Sequence, residues 1–142
     1  MKASKKEIVI NGVSEIPEAA AELIGAIGDA KVVAFYGRMG AGKTTLIREI
    51  CRQKGVRETV ASPSFAIVNA YNTADGEPVY HFDFYRIRDV REAYDLGYEE
   101  YFFGGDLCLI EWPEIVEELL PADCLRLRIE APAENKRVVS FL

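Results

Sequence analysis

The stretch KVVAFYGRMGAGKTTLIREICRQ, residues 31 to 53, decides the fold. Its opening KVVAF is a short apolar run suited to a parallel strand buried on both faces. Its closing TTLIREICRQ sets Leu46, Ile47 and Ile50 at helical spacing. Between them lies GRMGAGKT, residues 37 to 44, a complete GxxxxGK(S/T) phosphate-binding loop. Gly37, Gly40 and Gly42 let backbone N–H groups turn inward and approach phosphate oxygens that a side chain would obstruct. Lys43 supplies a point charge for the β- and γ-phosphates, and Thr44 supplies a hydroxyl where Mg2+ bridges them. The helix that Thr44 opens aims its positive dipole end at the same anion. The competing reading, a glycine-rich turn that holds nothing, is disfavoured by the order of strand, loop and helix. A nucleotide-binding α/β protein is expected.

Composition narrows the class. With 142 residues, 49% of them hydrophobic, the chain suffices for one domain with a real core and is short for two. A net charge of −6 argues against broad Lys/Arg coverage of a nucleic-acid backbone, so any RNA it serves is expected to be held by a partner. Cys51, Cys108 and Cys124 are scattered and odd in number, there is no CxxC, and His81 is the single histidine. Neither a disulfide framework nor a structural zinc site is supported, and a reducing cytoplasm fits best. The start MKASKKEIVING is basic but no apolar stretch follows it, and no apolar run approaches the roughly 20 residues of a membrane span. No export signal and no membrane span are expected.

Along the chain, EIVI (7 to 10) reads as a strand. Ser14 is the expected N-cap of a helix running to Ile27, with Ile16, Ala20, Leu23, Ile24 and Ile27 as its apolar face and Gly28 as its stop. After the phosphate loop, AIVNAY (66 to 71) and PVYHFDFYRI (78 to 87) flank an Asp75-Gly76 turn signal and predict an antiparallel hairpin. Alternation puts Tyr80, Phe82 and Phe84 on one face and His81, Asp83 and Tyr85 on the other. Asp89 is the expected cap of a helix to about Asp95, with a short aromatic segment LGYEEYFF after it. LCLIEW (107 to 112) is a strand ending in an acid, and PEIVEELLP a short helix. CLRLRIEA alternates as a half-exposed antiparallel strand pairing with KRVVSFL. The predicted fold is α/β: a single-domain P-loop NTPase with a mixed, partly parallel central sheet flanked by helices.

A phosphate loop wants a second acid near its metal, usually at the end of a neighbouring strand. Glu111 ends the run LCLI and is assigned as the Mg2+-side acid, directly or through water; the alternative is an ordinary solvated strand end. Asp83 sits mid-strand in HFDFYR and is assigned to orient or deprotonate the attacking water; the alternative is a salt bridge to a neighbour such as Arg86. Ser62, Pro63 and Ser64 occupy a loop where a hydroxyl could sense the γ-phosphate, or simply form a turn entering a strand. His81 reads as a satisfied strand residue more readily than as a catalytic base. Trp112 either covers the strand end or acts beside the site.

Four separated segments, GRMGAGKTT (37 to 45), SPSF (62 to 65), HFDFYR (81 to 86) and IEWPE (110 to 114), together resemble the TsaE (YjeE) family. LGYEEYF (96 to 102) resembles the family's segment between the two acids. The resemblance implies a small bacterial ATPase required to form threonylcarbamoyladenosine beside the anticodon of certain tRNAs. It also implies work with TsaB and TsaD, of which TsaD performs the carbamoyl transfer, with ATP binding and hydrolysis resetting that complex between turnovers. By position it carries the nucleotide loop onto Gly37 to Thr45, including Met39, Gly40, Ala41, Gly42, Lys43, Thr44 and Thr45. The magnesium ligands fall on Thr44 and Glu111, the other functional acid on Asp83, and the tryptophan after the metal acid on Trp112. The family's SPT reads SPS here, so Ser64 keeps the hydroxyl and loses a methyl. The family's contacts to the nucleotide base fall on Ser14 and the Lys136-Arg137 region.

Rival functions remain. A GTPase lacks support, since NKRV (135 to 138) misses the acid of an NKxD motif and no DxxG follows the loop. A small P-loop kinase shares the loop, and Arg86, Arg88 and Arg91 keep it in play. A regulatory module that senses ATP without hydrolysing it is opposed by the two acids. Slow hydrolysis by the isolated chain is expected, because no arginine finger is evident in cis.

Overall fold

The computed structural model describes residues 6–63 and 66–142. Its strands are β1 (Glu7–Ile10), β2 (Val32–Tyr36), β3 (Val68–Asn72), β4 (Pro78–Asp83), β5 (Leu107–Glu111), β6 (Leu125–Ala133) and β7 (Lys136–Phe141). Its helices are α1 (Ile16–Ile27), α2 (Lys43–Gln53), α3 (Arg91–Leu96) and α4 (Tyr98–Phe102). The strands form one sheet in the order β1, β7, β6, β2, β5, β4, β3. β6, β2, β5 and β4 run parallel to one another, while β1, β7 and β3 add antiparallel edges. The sheet is mixed and partly parallel, as expected.

β2 carries no polar side chain before Tyr36 because both of its faces are covered. Val33 and Phe35 meet Leu23 and Ile27 of α1 and Leu46, Ile47 and Ile50 of α2. Val32 and Ala34 meet Ile110, Phe82, Ala93 of α3 and Phe102 of α4 on the opposite face. Ile47 and Ile50 are fully buried, each stabilising the fold by roughly 1.5–3 kcal/mol relative to exposure. These contacts fix α2 under β2, so the loop joining them is held at both ends.

Register aligns the strand ends that matter. Asp83 is the Cα partner of Glu111, and Glu111 that of Phe35, so β4, β5 and β2 finish side by side. That row is the carboxyl edge of the parallel strands, where open α/β sheets bind ligands.

Several expectations need correction. Ser14 is not the helix N-cap: it lies in a 3-10 turn, Val13–Glu15, and α1 begins at Ile16 behind Glu15. The turn forms because the Glu15 N–H bonds the Gly12 carbonyl at 3.1 Å, and the Glu15 side chain reaches back to the Asn11 N–H at 2.8 Å. Asp83 is not mid-strand but the last residue of β4, because the chain turns away after it: the Asp83 carboxylate accepts the Tyr85 N–H at 2.9 Å. Asp89 stands one residue ahead of the cap position of α3, its side chain accepting the Arg91 N–H at 2.9 Å. PEIVEELLP forms 3-10 turns over Pro113–Leu119, broken by non-helical Val116. β6 pairs antiparallel with β7 as expected and also parallel with β2, which puts it inside the sheet.

Candidate functional site

The loop from Gly37 to Gly42 connects β2 to α2 in the predicted manner. A Cβ on Gly37 would stand 2.8 Å from the Ile129 carbonyl oxygen, so β6 admits only glycine there without moving. Gly42, immediately before α2, has φ 106, a conformation that side-chain-bearing residues rarely adopt. The loop is braced from outside by β7. Arg137 Nε donates to the Ala41 carbonyl at 2.9 Å, while its Nη1 donates to the carbonyls of Ala133, Glu134 and Lys136.

Lys43 opens α2 and is 4% exposed. Its ammonium donates to the Gly37 carbonyl and lies 3.4 Å from the centroid of the Trp112 ring. Burial lowers its pKa, against the opposing charges of Glu111, Glu114 and Asp83. Trp112 has φ 54, the left-handed conformation that no other described non-glycine residue adopts. Such a residue costs on the order of 1 kcal/mol or more, and strain of this kind clusters at functional sites. Here it swings the indole over Lys43 and against Tyr85, whose ring centroid is 4.9 Å away. Trp112 therefore stands beside the site and does not merely cap β5.

Glu111, 3% exposed at the end of β5, is not a solvated strand end. Thr44 Oγ1 donates to it, lying 2.9 Å from Oε1 and 3.0 Å from Oε2. Ser62 Oγ is 2.9 Å from Thr44 Oγ1 and 3.3 Å from Glu111 Oε2. His81 Nε2 is 2.6 Å from Oε2. Burial alone would raise the carboxyl pKa. The contacts from His81 and Thr44 and the charge of Lys43 outweigh it and hold the group below its ordinary range, ionised at neutral pH.

Asp83 is half-buried one strand away. Burial, helped by the Glu111 charge, pushes its pKa up against the Tyr85 N–H, His81 and Lys43. Two neighbouring acids are thus driven in opposite directions, one held ionised and one made more basic, which is how environment separates roles within a site.

A cavity of about 740 Å³ gathers these groups: Lys43, Thr44, Ser62, Asp83, Glu111 and Trp112 line it together with Met39, Gly40, Gly42 and Thr45. Its size suits a ligand as large as a nucleotide. A smaller cavity of about 190 Å³ adjoins it at Gly42 and Thr45 and is lined by Gly12, Val13, Ile16, Ala41, Asn135 and Arg137 among others. Ser14 and Lys136 do not line it, although their neighbours do. Ser64, the expected hydroxyl of the SPS loop, lies outside the described residues. Of Arg86, Arg88 and Arg91, Arg86 reaches the larger cavity, while Arg91 pairs with Asp89 at 3.4 Å.

The donor set tests for a metal. Among the described residues no group of three His, Cys, Asp or Glu side chains could cage an ion. A hydroxyl and a carboxylate 2.9 Å apart, beside a phosphate loop, instead suit Mg2+, which takes one or two protein oxygens and completes its shell with phosphates and water. Thr44 and Glu111 fit that mode.

Two links are not resolved by the local sequence. Ser62 was one of two candidate hydroxyls, and Arg137 one of two basic neighbours; in both cases only contact across the fold distinguishes them. His81 carried a usable signal, since alternation put it on the face of Asp83.

The Threonylcarbamoyl adenosine biosynthesis protein TsaE family model matches residues 10–139. The tRNA threonylcarbamoyladenosine biosynthesis protein TsaE of Bacillus subtilis is 40% identical over 111 residues, 78% of this chain and 68% of that relative. The protein of the same name from Rickettsia felis is 35% identical over 136 residues, 95% of this chain and 78% of the relative. The crystal structure of Bacillus subtilis YdiB superposes with a TM-score of 0.72 at 31% identity, covering 99% of this chain and 87% of that one. With the family model spanning most of the chain, and the loop, the paired acids and the tryptophan gathered in one cavity, this protein belongs to the TsaE family.

Proposed function

We propose that the protein is a Mg2+-dependent ATPase of tRNA threonylcarbamoyladenosine biosynthesis, acting in the cytoplasm on a complex of TsaB and TsaD. The observation that carries this reading is the convergence of Thr44 and Glu111, 2.9 Å apart, at the N-terminus of the helix that follows a complete phosphate loop. The backbone N–H groups of Gly40 to Thr45 and the α2 dipole would take the phosphates. Lys43 would exchange the Gly37 carbonyl for the β- and γ-phosphates. Thr44 and Glu111 would hold Mg2+, which would supply neutralisation of the charge that develops on the phosphate oxygens. Asp83, with its raised pKa, would orient or deprotonate the attacking water. Trp112 and Tyr85 would screen that water from solvent. The smaller cavity beside Gly42 and Thr45 would take the base, between the segment carrying Ser14 and the start of β7 with Arg137.

Net charge supports an indirect role for tRNA: at −6 the chain is poorly suited to hold RNA itself. A kinase reading has less support, since Arg91 is paired at the surface and Arg88 does not line the cavity. The test is steady-state ATP turnover by the purified chain, alone and with TsaB, TsaD and substrate tRNA. Slow turnover alone and strong stimulation by the complex are expected. Turnover appearing only when a small-molecule acceptor is added would replace the ATPase reading with a kinase.

A further inference from the structure

His81 is the buried polar side chain that neither the phosphate loop nor the two acids account for. It is fully buried on β4, and its Nδ1 has no hydrogen-bond partner among the described residues. An unpaired polar atom in such a place carries a desolvation cost that an aliphatic side chain of similar size would avoid. What the imidazole adds is its one hydrogen bond among the described residues, 2.6 Å from Nε2 to Glu111 Oε2. An ionised carboxylate only accepts, so Nε2 carries the proton and donates.

The ring is held in that direction from behind. Tyr71 on β3 packs against it with centroids 6.3 Å apart, and the Tyr71 hydroxyl ties down Ala61, next to Ser62. At the carboxylate the two oxygens have different surroundings. Oε2 receives His81, Ser62 and Thr44, the last at 3.0 Å, whereas the described contact of Oε1 is Thr44 alone, at 2.9 Å. His81 does not line the main cavity, so it acts through Glu111 and not on a ligand directly.

We propose that His81 is the positioning residue of the site: its Nε2–H pins Oε2 of Glu111 and thereby leaves Oε1, whose described contact is Thr44 alone, for the cation that accompanies the nucleotide phosphates. The inference rests on the assignment of Glu111 to the metal side made above. Hydrogen-bond partners that orient a metal's carboxylate typically govern metal affinity by about 10- to 100-fold.

The test uses the full chain with ADP, measuring Mn2+ binding by the loss of the free-ion electron paramagnetic resonance signal. Metal-free ADP affinity is measured in parallel. His81→Leu is expected to weaken Mn2+ about 10- to 100-fold while leaving metal-free ADP affinity within about twofold. His81→Gln, whose amide nitrogen can reach the place of Nε2, is expected to recover most of the loss. Equal Mn2+ affinity in wild type and His81→Leu overturns the proposal, and so does an equal fall in metal-free ADP affinity, which marks a packing role. Glu111→Ala separates the two layers of reasoning. If it leaves Mn2+ binding intact, the metal assignment of Glu111 falls and the positioning role with it. If it weakens Mn2+ and His81→Leu does not, the positioning role alone falls. Because His81 is the single histidine, nitrogen-15 imidazole spectra of the unmutated protein report its tautomer without assignment. The Nε2–H form is expected, and the Nδ1–H form overturns the proposal whether or not any variant folds.

Discussion

Removing the Arg137 side chain should loosen the phosphate loop from a distance of 96 residues in sequence. In Arg137→Ala the Ala41 carbonyl loses its part-buried guanidinium partner at 2.9 Å, a charge-assisted bond of about 1.5–3 kcal/mol. The three bonds to the carbonyls of Ala133, Glu134 and Lys136 are exposed, and water replaces them at little net cost. The expected destabilisation is therefore about 1.5–3 kcal/mol, set by the one part-buried contact. For a chain of this size that corresponds to a fall in Tm of roughly 5–10 °C by circular dichroism. If the clamp also holds the loop in its binding shape, a fluorescent ADP analogue should bind about fivefold more weakly, equivalent to about 1 kcal/mol. Arg137→Lys, which can reach Ala41 but cannot span the hairpin carbonyls as well, should fall between the two. An Arg137→Ala protein with unchanged Tm would refute the energetic argument. A lowered Tm with unchanged affinity would show that the clamp staples the β6–β7 hairpin without shaping the loop.

Lys43→Ala should abolish tight ATP binding, measured by equilibrium titration; wild-type affinity in the variant would remove Lys43 from the phosphate site. Asp83→Asn should retain ATP binding and lose partner-stimulated turnover, and unchanged turnover would remove Asp83 from the mechanism. The same variant carries a stability signature. The folded pKa of Asp83 is raised, so the native state binds its proton more tightly than the unfolded chain does. Its contribution is fully present below the unfolded carboxyl pKa and is lost as pH rises through the folded value. Asp83→Asn should consequently gain stability relative to wild type at neutral pH and not at low pH, in denaturant titrations at both values.

Much of this protein can be read locally. An apolar run, glycines at the loop's turning points and apolar residues at helical spacing suffice for β2, the phosphate loop and α2, because each is satisfied by neighbours in sequence. Alternation likewise sorted His81 and Asp83 onto one face of β4 and opposed them to Phe82. At two element ends a short-range bond overrides the periodicity. Glu15, and not Ser14, organises the entry to α1, and the Tyr85 N–H ends β4 at Asp83. Neither bond leaves a trace in hydrophobic periodicity.

By itself, then, the chain's order of residues determined that a phosphate loop exists, which fold class carries it, and which two acids were worth assigning. Only the tertiary structure decided what those acids are. Glu111 draws its donors from α2, the loop at Ser62 and β4, and Asp83 reaches it by parallel register across β4 and β5. A carboxyl's charge state depends on the dielectric and the donors around it. Those are supplied by segments brought together only when the sheet forms, so Glu111 becomes a held anion and Asp83 a more basic neighbour after folding, and not before it.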